Sequence, residues 1–423
     1  MKKRMKIAVI GGGAAGMTSA IVAARHGAEV VLYEKNDRVG KKLLVTGNGR
    51  CNLSNTEFST DCYYCSDKEK LQKVFESFSL WDTVSFFESM GLMVKEKNKG
   101  LYPYSEQASA VLDVLRTELA YSKAHVITGA EVNKVEKREK IGFVIQEEGR
   151  EEIFDKLILA PGSQASLKGT GKSGYHIAKN FGHKINPLVP GLVQLKSDES
   201  FCKALGGVRC NAKLTLLIDG KVKTEETGEV QFTDYGISGI PVFQFSRQAA
   251  YAHKEKKEIH VLADFFPEQD DKTFTFAMKL RYESLKNRTL EEFLTGTVNK
   301  KIGRVLIKRY GLKPEMRVEE AGQQKVLELM GTGRNFSIHI SGVNPMENAQ
   351  ICAGGIDFSQ IDDQMESALV PGLYFAGEIV DVDGKCGGYN LQWAWSSGYV
   401  AGRSAAGYSA EEMRKDLEPE VRG

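Results

Sequence analysis

The sequence predicts an α/β fold: a parallel-sheet domain, an inserted domain of antiparallel strands and a small helical subdomain. Three observations support this. A strand–turn–helix–strand pattern opens the chain, short alternating stretches follow from about Val189, and residues 270–330 are rich in Lys, Glu, Leu and Arg at helical spacing. We expect the first domain at 1–188 and 345–423, the inserted strands at 189–268 and 333–344, and the helical subdomain at 269–332.

The first forty residues carry the strongest motif. An apolar run, Lys6–Ile10, ends in a glycine-rich turn, and a helical pattern leads to a second apolar run that ends at Glu34. Gly11, Gly13 and Gly16 occupy the three glycine positions of G-x-G-x-x-G. The first allows the turn, the second lets a pyrophosphate approach the backbone, and the third lets helix and strand pack closely. This predicts a Rossmann-type dinucleotide site with the phosphates at the helix N-terminus.

Glu34 strengthens that prediction, because it lies eighteen positions after Gly16 at the end of the second strand. A carboxylate there can accept hydrogen bonds from ribose hydroxyls, which favours FAD or NAD over NADP. The alternative is a purely structural glycine turn. The strand before it, the helix after it and the acid at this distance argue against that alternative.

Composition limits the class of protein. A chain of 423 residues is expected to form two or three domains, and 42% hydrophobic with 26% charged residues is typical of a soluble protein. The net charge of +2 gives no electrostatic case for a nucleic-acid or membrane partner. The seven cysteines, an odd number, suit a reducing compartment, so we expect a cytoplasmic protein with a small-molecule substrate.

A polar loop follows Glu34 and contains G-K-K-L-L-V-T-G-N-G-R-C-N-L-S-N, residues 40–55. Its glycines and asparagines exclude a long regular element, and loops on rigid scaffolds often carry function. Lys42 and Arg50 suit a pyrophosphate or an anionic flavin ring. A solvated basic loop is the alternative.

This loop, coming after G-G-G-A-A-G and Glu34, resembles the BaiN/RdsA-like flavoprotein family, which includes proteins called aminoacetone oxidases. The resemblance extends along nearly the whole chain and implies that the first dinucleotide site holds FAD. One segment, residues 169–183, departs from the family pattern. Lys172 and Ser173 stand where the family tends to have glycine and aspartate.

A second motif near the C-terminus, residues 372–398, matches the family closely. It predicts a strand at Leu373–Ala376, a turn at Gly377 and Glu378, and a helix from Asn390 to about Gly402. By the resemblance, the turn lies near the ribityl chain and pyrophosphate, and the helix directs its N-terminus at flavin N1 and the C2 carbonyl. A helix N-terminus stabilises nearby negative charge. A buried glycine turn before a core helix is the alternative.

Further elements follow from periodicity. Residues 67–90 are predicted to form one helix whose apolar face includes Phe78 and Trp81. Asp219 and Gly220 predict a hairpin turn.

The resemblance also points to a strand ending at Ala160 and Gly162, where the backbone passes the cofactor, and to Val132 as a backbone contact for adenine. The candidate cofactor-binding residues are Gly11, Gly13, Ala14, Ala15, Gly16, Glu34, Lys35, Lys42, Gly49, Arg50, Cys51, Val132, Ala160, Gly162, Gly377, Glu378, Gly388, Tyr389, Asn390 and Leu391.

We expect no metal site, because the histidines lack H-x-x-x-H spacing. Tyr235 and Tyr389 are the candidate catalytic residues, since each lies in a motif and a phenol can protonate carbon beside a carbonyl.

These observations predict a FAD-dependent oxidoreductase in which flavin N5 accepts or donates hydride. No second G-x-G-x-x-G follows a strand, so NADH or NADPH, if it is the donor, would visit the substrate pocket transiently. The resemblance implies a reductase acting on a conjugated double bond of a small apolar molecule. It equally admits an amine oxidase that produces hydrogen peroxide. A flavin-bearing RNA-modifying protein is a third alternative, against which the near-neutral charge argues.

Overall fold

The computed structural model describes residues 4–147, 150–166 and 172–408. The chain divides into two compact units, a first unit of Met1–Val189 with Gln350–Gly423 and a second unit of Pro190–Ala349. The first three residues of the 169–183 segment lie outside the described residues. Within the described ranges we find no helix with the length and hydrophobicity needed to cross a bilayer.

The strands are β1 (Lys6–Ile10), β2 (Glu29–Glu34), β3 (Ser54–Asn55), β4 (Tyr63–Tyr64), β5 (Val94–Lys97), β6 (Gly100–Pro103), β7 (His125–Thr128), β8 (Val135–Arg138), β9 (Gly142–Glu147), β10 (Arg150–Phe154), β11 (Lys156–Leu159), β12 (Val189–Gly191), β13 (Leu195–Lys196), β14 (Arg209–Ile218), β15 (Lys221–Thr233), β16 (Gly236–Ser238), β17 (Ile259–Asp264), β18 (Phe336–His339), β19 (Gly342–Val343), β20 (Ile351–Ala353), β21 (Leu373–Phe375) and β22 (Asp383–Gly384).

The helices are α1 (Ala14–Arg25), α2 (Lys68–Ser77), α3 (Leu80–Ser89), α4 (Ala108–Tyr121), α5 (Lys172–Asn180), α6 (Phe201–Leu205), α7 (Ile240–Lys254), α8 (Asp271–Leu285), α9 (Leu290–Leu294), α10 (Lys300–Arg309), α11 (Val318–Ala321), α12 (Gln323–Thr332) and α13 (Tyr389–Ala405).

A parallel sheet in the order β21-β11-β1-β2-β7 forms the centre of the first unit. The side chains of Ile7, Ala8 and Val9 are fully buried, which explains why this strand is a continuous apolar run rather than an alternating one. Ile10 pairs with Tyr33 on one side and Leu159 on the other, so three strands end at the same edge. The Rossmann-type parallel sheet predicted from the sequence is confirmed.

Helices α1 and α13 pack so closely that only glycine fits at two positions of α13. A Cβ atom on Gly398 would lie 2.6 Å from the carbonyl oxygen of Ala15, and one on Gly402 would lie 2.4 Å from that of Ser19. The Ser19 hydroxyl donates to the Gly398 carbonyl at 2.9 Å. This contact fixes the C-terminal helix against the helix that follows the glycine turn.

The expected single helix over residues 67–90 is wrong, because the structure has α2 and α3 with a break between them. Ser79 starts the second helix with a capping box. Its hydroxyl accepts from the Asp82 backbone N–H at 3.3 Å, and the Asp82 carboxylate accepts from the Ser79 N–H at 2.7 Å. The break buries Phe78 and leaves Trp81 63% exposed, although the helical period had placed both on one apolar face.

An antiparallel sheet in the order β18-β17-β14-β15-β16-β13-β19 forms the second unit together with α6–α12. Asp219 and Gly220 join β14 to β15 with positive φ angles of 50° and 71°, which confirms the predicted hairpin turn. Helix α7, which follows β16, was not predicted from the sequence. It buries Val242, Phe245 and Ala249 at helical spacing.

We predict that Gly402→Ala lowers the free energy of unfolding by about 1–3 kcal/mol, because the added methyl group meets the fixed backbone of α1. Gly331→Ala is the matched control. It also changes a helical glycine, but no atom lies within 4 Å of its added Cβ, so stability should rise by up to about 1 kcal/mol. Thermal unfolding followed by circular dichroism measures both. Equal effects of the two substitutions would contradict the close helix contact.

Candidate FAD and active site

The three motif glycines of the turn after β1 have two different roles. A Cβ on Gly11 would lie 2.3 Å from the Ala160 carbonyl oxygen, and one on Gly16 would lie 1.8 Å from the Gly11 carbonyl oxygen. Those two glycines are required by packing within the protein. A Cβ on Gly13 would meet no atom within 4 Å, so at this position the absence of a side chain leaves room for a ligand at the start of α1.

Glu34 is buried and holds the glycine turn in place. One carboxylate oxygen accepts from the Gly12 N–H at 2.7 Å, and the other accepts from the backbone and side-chain nitrogens of Asn36 at 2.8 and 2.5 Å. Three protein donors therefore occupy three of the roughly four acceptor positions of a carboxylate. The sequence motif predicts Glu34 as a ribose ligand, and the structure adds this supporting role.

The chain after β7 is hydrogen-bonded to the end of β2 and the residues that follow it. Ala130 N–H donates to the Glu34 carbonyl at 3.0 Å, and Gly129 N–H donates to the Asn36 carbonyl at 2.8 Å. The buried Val132 follows two residues later. Val132, the candidate adenine contact, is therefore close in sequence to a segment anchored beside Glu34.

The loop over residues 40–55 starts at the same turn, since Gly40 N–H donates to the Gly12 carbonyl at 2.8 Å. Gly49 and Cys51 have positive φ angles of 80° and 58°, in line with the tight turning predicted for this loop. The Cys51 side chain is fully buried, and burial raises the pKa of its thiol to about 12. Cys51 is therefore a packing residue with no thiolate character at neutral pH.

The two cations predicted in this loop have different surroundings. Lys42 Nζ lies 2.6 Å from a carboxylate oxygen of Glu378, whose other oxygen accepts from the Cys352 N–H at 2.9 Å. This ion pair joins the loop over residues 40–55 to the turn after β21. Arg50 is partly exposed and lies 3.7 Å from the carboxylate of a different residue, Glu106.

Gly377, the corner after β21, lies against the first turn of α1. Its φ angle is 74°, and an added Cβ would lie 2.8 Å from the Cβ of Ala15. Its N–H donates to the Ser397 hydroxyl at 2.9 Å, and its carbonyl accepts from the Trp393 indole N–H at 3.1 Å. The C-terminal motif thus meets the N-terminal glycine turn through direct contacts, although some 360 residues separate them in sequence.

The second C-terminal corner, Gly387 and Gly388, contacts the end of the loop over residues 40–55. Asn55 donates to the Gly387 carbonyl at 3.0 Å, and a Cβ on Gly388 would lie 2.6 Å from the Ser54 carbonyl oxygen. Gly388 is the N-cap of α13 with a φ angle of 97°.

Helix α13 begins at Tyr389, one residue earlier than predicted, and its first-turn N–H groups lack intrahelical acceptors. Asn390 uses its side chain to accept from Gly384 N–H and to donate to the Gly384 carbonyl, both at 2.8 Å. The half-buried Leu391 completes this turn.

Two residues that the sequence analysis did not single out lie at this corner. Asn52 Oδ1 and Ser54 Oγ are buried and have no hydrogen-bond partner among the residues that the structure describes. Asn52 Oδ1 would lie 2.9 Å from a Cβ on Gly388. Buried polar atoms normally have partners, so an unpaired acceptor and hydroxyl beside free helix amides fit a polar ring such as isoalloxazine. The available signal was the run of asparagines at positions 48, 52 and 55 in this loop.

The two candidate proton donors differ in what their hydroxyl groups do. The Tyr389 side chain is 6% exposed, and its hydroxyl donates to the Glu57 carbonyl at 3.0 Å; burial raises the pKa of this phenol. Tyr235, in the second unit, is 43% exposed, and its oxygen accepts from Asn344 Nδ2 at 3.4 Å. Among the described residues the structure shows no acceptor for the Tyr235 hydroxyl hydrogen.

The parallel sheet, the glycine turn and the C-terminal corners define a class of protein: this chain is a FAD-dependent oxidoreductase built on a Rossmann-type domain. More particularly, it belongs to the family described as HI0933-like protein Rossmann domain, whose model matches residues 5–404. The family membership implied by the sequence motifs is confirmed.

Three relatives of known name match nearly the full chain. The 3-dehydro-bile acid delta(4,6)-reductase of Clostridium scindens is 42% identical over 95% of this chain and 99% of its own length. The ribosomal RNA dihydrouridine synthase of Haemophilus influenzae is 30% identical over 94% of this chain and 97% of its own. The Escherichia coli protein of the same name is 29% identical over 94% and 97%.

We predict that Gly13→Val yields a folded protein that binds FAD at least about tenfold more weakly, because the new side chain enters open space that the pyrophosphate would use. FAD titration of the apoprotein by flavin fluorescence measures this. Gly16→Val is the contrast, since its side chain overlaps the Gly11 carbonyl and should prevent folding. Undiminished FAD affinity in Gly13→Val would overturn our placement of the pyrophosphate.

We predict that Glu34→Gln destabilises the apoprotein by about 1–3 kcal/mol, because an amide nitrogen then faces a backbone N–H that had a carboxylate acceptor. Glu29→Gln, on the same strand, is the control. Glu29 is 62% exposed and 3.7 Å from Lys6, so its loss should change stability by less than about 0.5 kcal/mol. Urea denaturation without FAD measures both, and equal effects would rule out the supporting role of Glu34.

Proposed function

We propose that this protein is an NAD(P)H-dependent reductase that saturates a carbon–carbon double bond conjugated with a carbonyl group in a small apolar substrate of the steroid-acid type. One observation carries the proposal: the relative named 3-dehydro-bile acid delta(4,6)-reductase is 42% identical to this chain over 95% of its length. The name describes an oxo-steroid acid and the reduction of ring double bonds. Double bonds conjugated with a carbonyl are good hydride acceptors.

The cofactor residues proposed above would serve this reaction by fixing FAD at both ends. The Gly11–Gly16 turn would hold the pyrophosphate, Glu34 a ribose hydroxyl, and the start of α13 the pyrimidine edge of the ring. When bound, FAD supplies hydride at N5. A helix N-terminus near that edge favours the negative charge of the reduced ring.

Reduction of a conjugated enone also needs a proton. Hydride adds at the carbon β to the carbonyl, and the resulting enolate takes a proton at the α carbon. Of the two tyrosines predicted from the sequence, Tyr235 suits this role better. Its side chain is more exposed, and its hydrogen is uncommitted within the described structure, whereas the Tyr389 hydroxyl is buried and donates to a backbone carbonyl. We assign Tyr389 to holding the Glu57 segment.

A second candidate function is supported by the relatives named ribosomal RNA dihydrouridine synthase, at 30% and 29% identity. Dihydrouridine arises when the double bond of uracil, also conjugated with a carbonyl, is reduced. The chemistry is therefore of the same kind, with RNA in place of a small molecule. The net charge of +2, which argued against RNA in the sequence analysis, does not outweigh these matches, so RNA stays as the second candidate. The bile acid reductase is more similar to this chain, at 42% identity against 30% and 29%, and this supports the first candidate function, reduction of a small molecule.

We predict that the anaerobic holoenzyme loses its flavin absorbance near 450 nm on adding NADH or NADPH, and regains it on adding a 3-oxo-4,6-diene steroid acid. Stopped-flow absorbance measures both half-reactions. Reoxidation by unmodified ribosomal RNA but not by the steroid would establish the second candidate. Failure to bleach with either nicotinamide would refute both reductase proposals, and peroxide release with a small amine in air would then support the amine oxidase alternative.

A further inference from the structure

Tyr102 lies on β6 of the first unit, next to the end of the loop over residues 40–55. β6 pairs with β3, where Ser54 is opposite Leu101. Gly100 is a point of close approach: an added Cβ would lie 2.9 Å from Asn52 Nδ2 and 2.8 Å from Tyr102 Cε2. The side chains of Asn52 and Tyr102 therefore flank the same point. All of these residues belong to the first unit.

Tyr102 is also close to the corner at the start of α13. The neighbouring Asn52 side chain carries the unpaired oxygen that lies beside Gly388. Cys386, which precedes this corner, is close enough to act electrostatically on the Tyr102 phenol. A substrate that takes hydride from flavin N5 has to lie against the ring, because reacting atoms must approach to about 3.5 Å. A side chain at the edge of the proposed ring site can therefore contact the substrate.

The Tyr102 hydroxyl is available for a ligand. The side chain is half-buried, and the described residues offer its hydroxyl no hydrogen-bond partner. Burial raises the pKa of this phenol, and the charge of Arg50 offsets only part of that rise. At neutral pH the hydroxyl therefore keeps its hydrogen and can donate it to an acceptor on a ligand.

The surroundings of Tyr102 are positively charged. The Arg50 guanidinium lies 6.0 Å from the centre of the Tyr102 ring, and Lys95 is opposite Tyr102 in the β5–β6 hairpin. Arg50, Lys95 and Lys97 approach the carboxylate of Glu106 to 3.7, 2.9 and 3.1 Å. Three cations share one carboxylate, so positive charge is in excess. Such surroundings stabilise negative charge that develops on a nearby ligand.

We propose that the Tyr102 hydroxyl donates a hydrogen bond to the carbonyl oxygen of the conjugated substrate, and that Arg50 supports the negative charge that develops there. This inference rests on the proposed function. When hydride adds at the β carbon, the π electrons shift toward the carbonyl oxygen and form an enolate. The Tyr102 O–H bond stays intact throughout, and a separate donor protonates the α carbon. Tyr102 thus stabilises the enolate in the way that an oxyanion-hole donor does.

Stopped-flow measurement of the two half-reactions of the full-length holoenzyme tests this role. Tyr102→Phe removes only the hydroxyl, so bleaching by NAD(P)H should be unchanged, and reoxidation by the 3-oxo-4,6-diene steroid acid should slow by roughly 100-fold. Ferricyanide, an electron acceptor without a carbonyl group, should reoxidise the flavin of this variant at the normal rate. Tyr104→Phe is the matched control. Tyr104 is 61% exposed and two residues further along the chain, and all three rates should stay as in the unchanged protein.

Infrared difference spectroscopy gives a second readout that does not depend on rates. The steroid is bound to the oxidised enzyme, which has no hydride to transfer. Its carbonyl stretch should lie at a lower frequency in the unchanged protein than in Tyr102→Phe, because a hydrogen bond weakens the C=O bond. Tyr104→Phe should give the same frequency as the unchanged protein.

The outcomes separate this inference from the proposed function. Normal reoxidation in Tyr102→Phe, or an unchanged carbonyl frequency, would overturn the inference while the proposed function stands. Equal slowing with ferricyanide would also overturn it, because the hydroxyl would then act on the flavin rather than on the carbonyl. If ribosomal RNA is the oxidant, the same comparison is made with RNA, since the uracil double bond is also conjugated with a carbonyl. Absence of bleaching in the unchanged protein would instead refute the proposed function.

Discussion

The close contact between helices α1 and α13 is the constraint on which the rest of the first unit depends. Gly398 and Gly402 let the two backbones approach to distances that no side chain tolerates. Because α13 is fixed there, the Gly377 corner, which bonds to Trp393 and Ser397 of the same helix, is fixed as well and lies against Ala15 in the first turn of α1. A site assembled from the two ends of the first unit's sequence therefore follows from helix packing, before any cofactor contact is considered.

Several polar side chains at this site form hydrogen bonds and ion pairs that stabilise the loops of the site itself. Glu34 accepts from the Gly12 N–H of the glycine turn and from Asn36, and the Lys42–Glu378 ion pair connects the loop over residues 40–55 to the turn after β21. Both interactions join groups of the protein to one another and so help to hold the loops in one arrangement. Preorganisation of this kind reduces the ordering cost of binding. Two of the buried polar atoms without a partner among the described residues, Asn52 Oδ1 and Ser54 Oγ, lie at the corner where the proposed ring would bind.

The fold class could be predicted because its signals are local: apolar runs, glycine spacing and turn residues. The signals failed where two local patterns competed. The apolar period continued through Phe78 and Trp81, but the Ser79 capping box ended one helix and began another. Within the site, the glycine corners were predictable from motifs. In the second unit, the bond between Asn344 and Tyr235 was not predictable, because it joins residues 109 positions apart through strand register. Net charge, likewise, could not exclude an RNA substrate that relatives of this chain are named for.

The central claim is that the glycine turn at residues 11–16 and the corner at residues 387–391 bind one FAD molecule. Amide hydrogen exchange, compared between apoprotein and FAD-loaded protein, tests it most directly because each amide reports separately. We expect FAD to slow exchange in both segments together, with the same dependence on FAD concentration. Protection of the first segment alone, with the amides at the start of α13 unaffected, would contradict it.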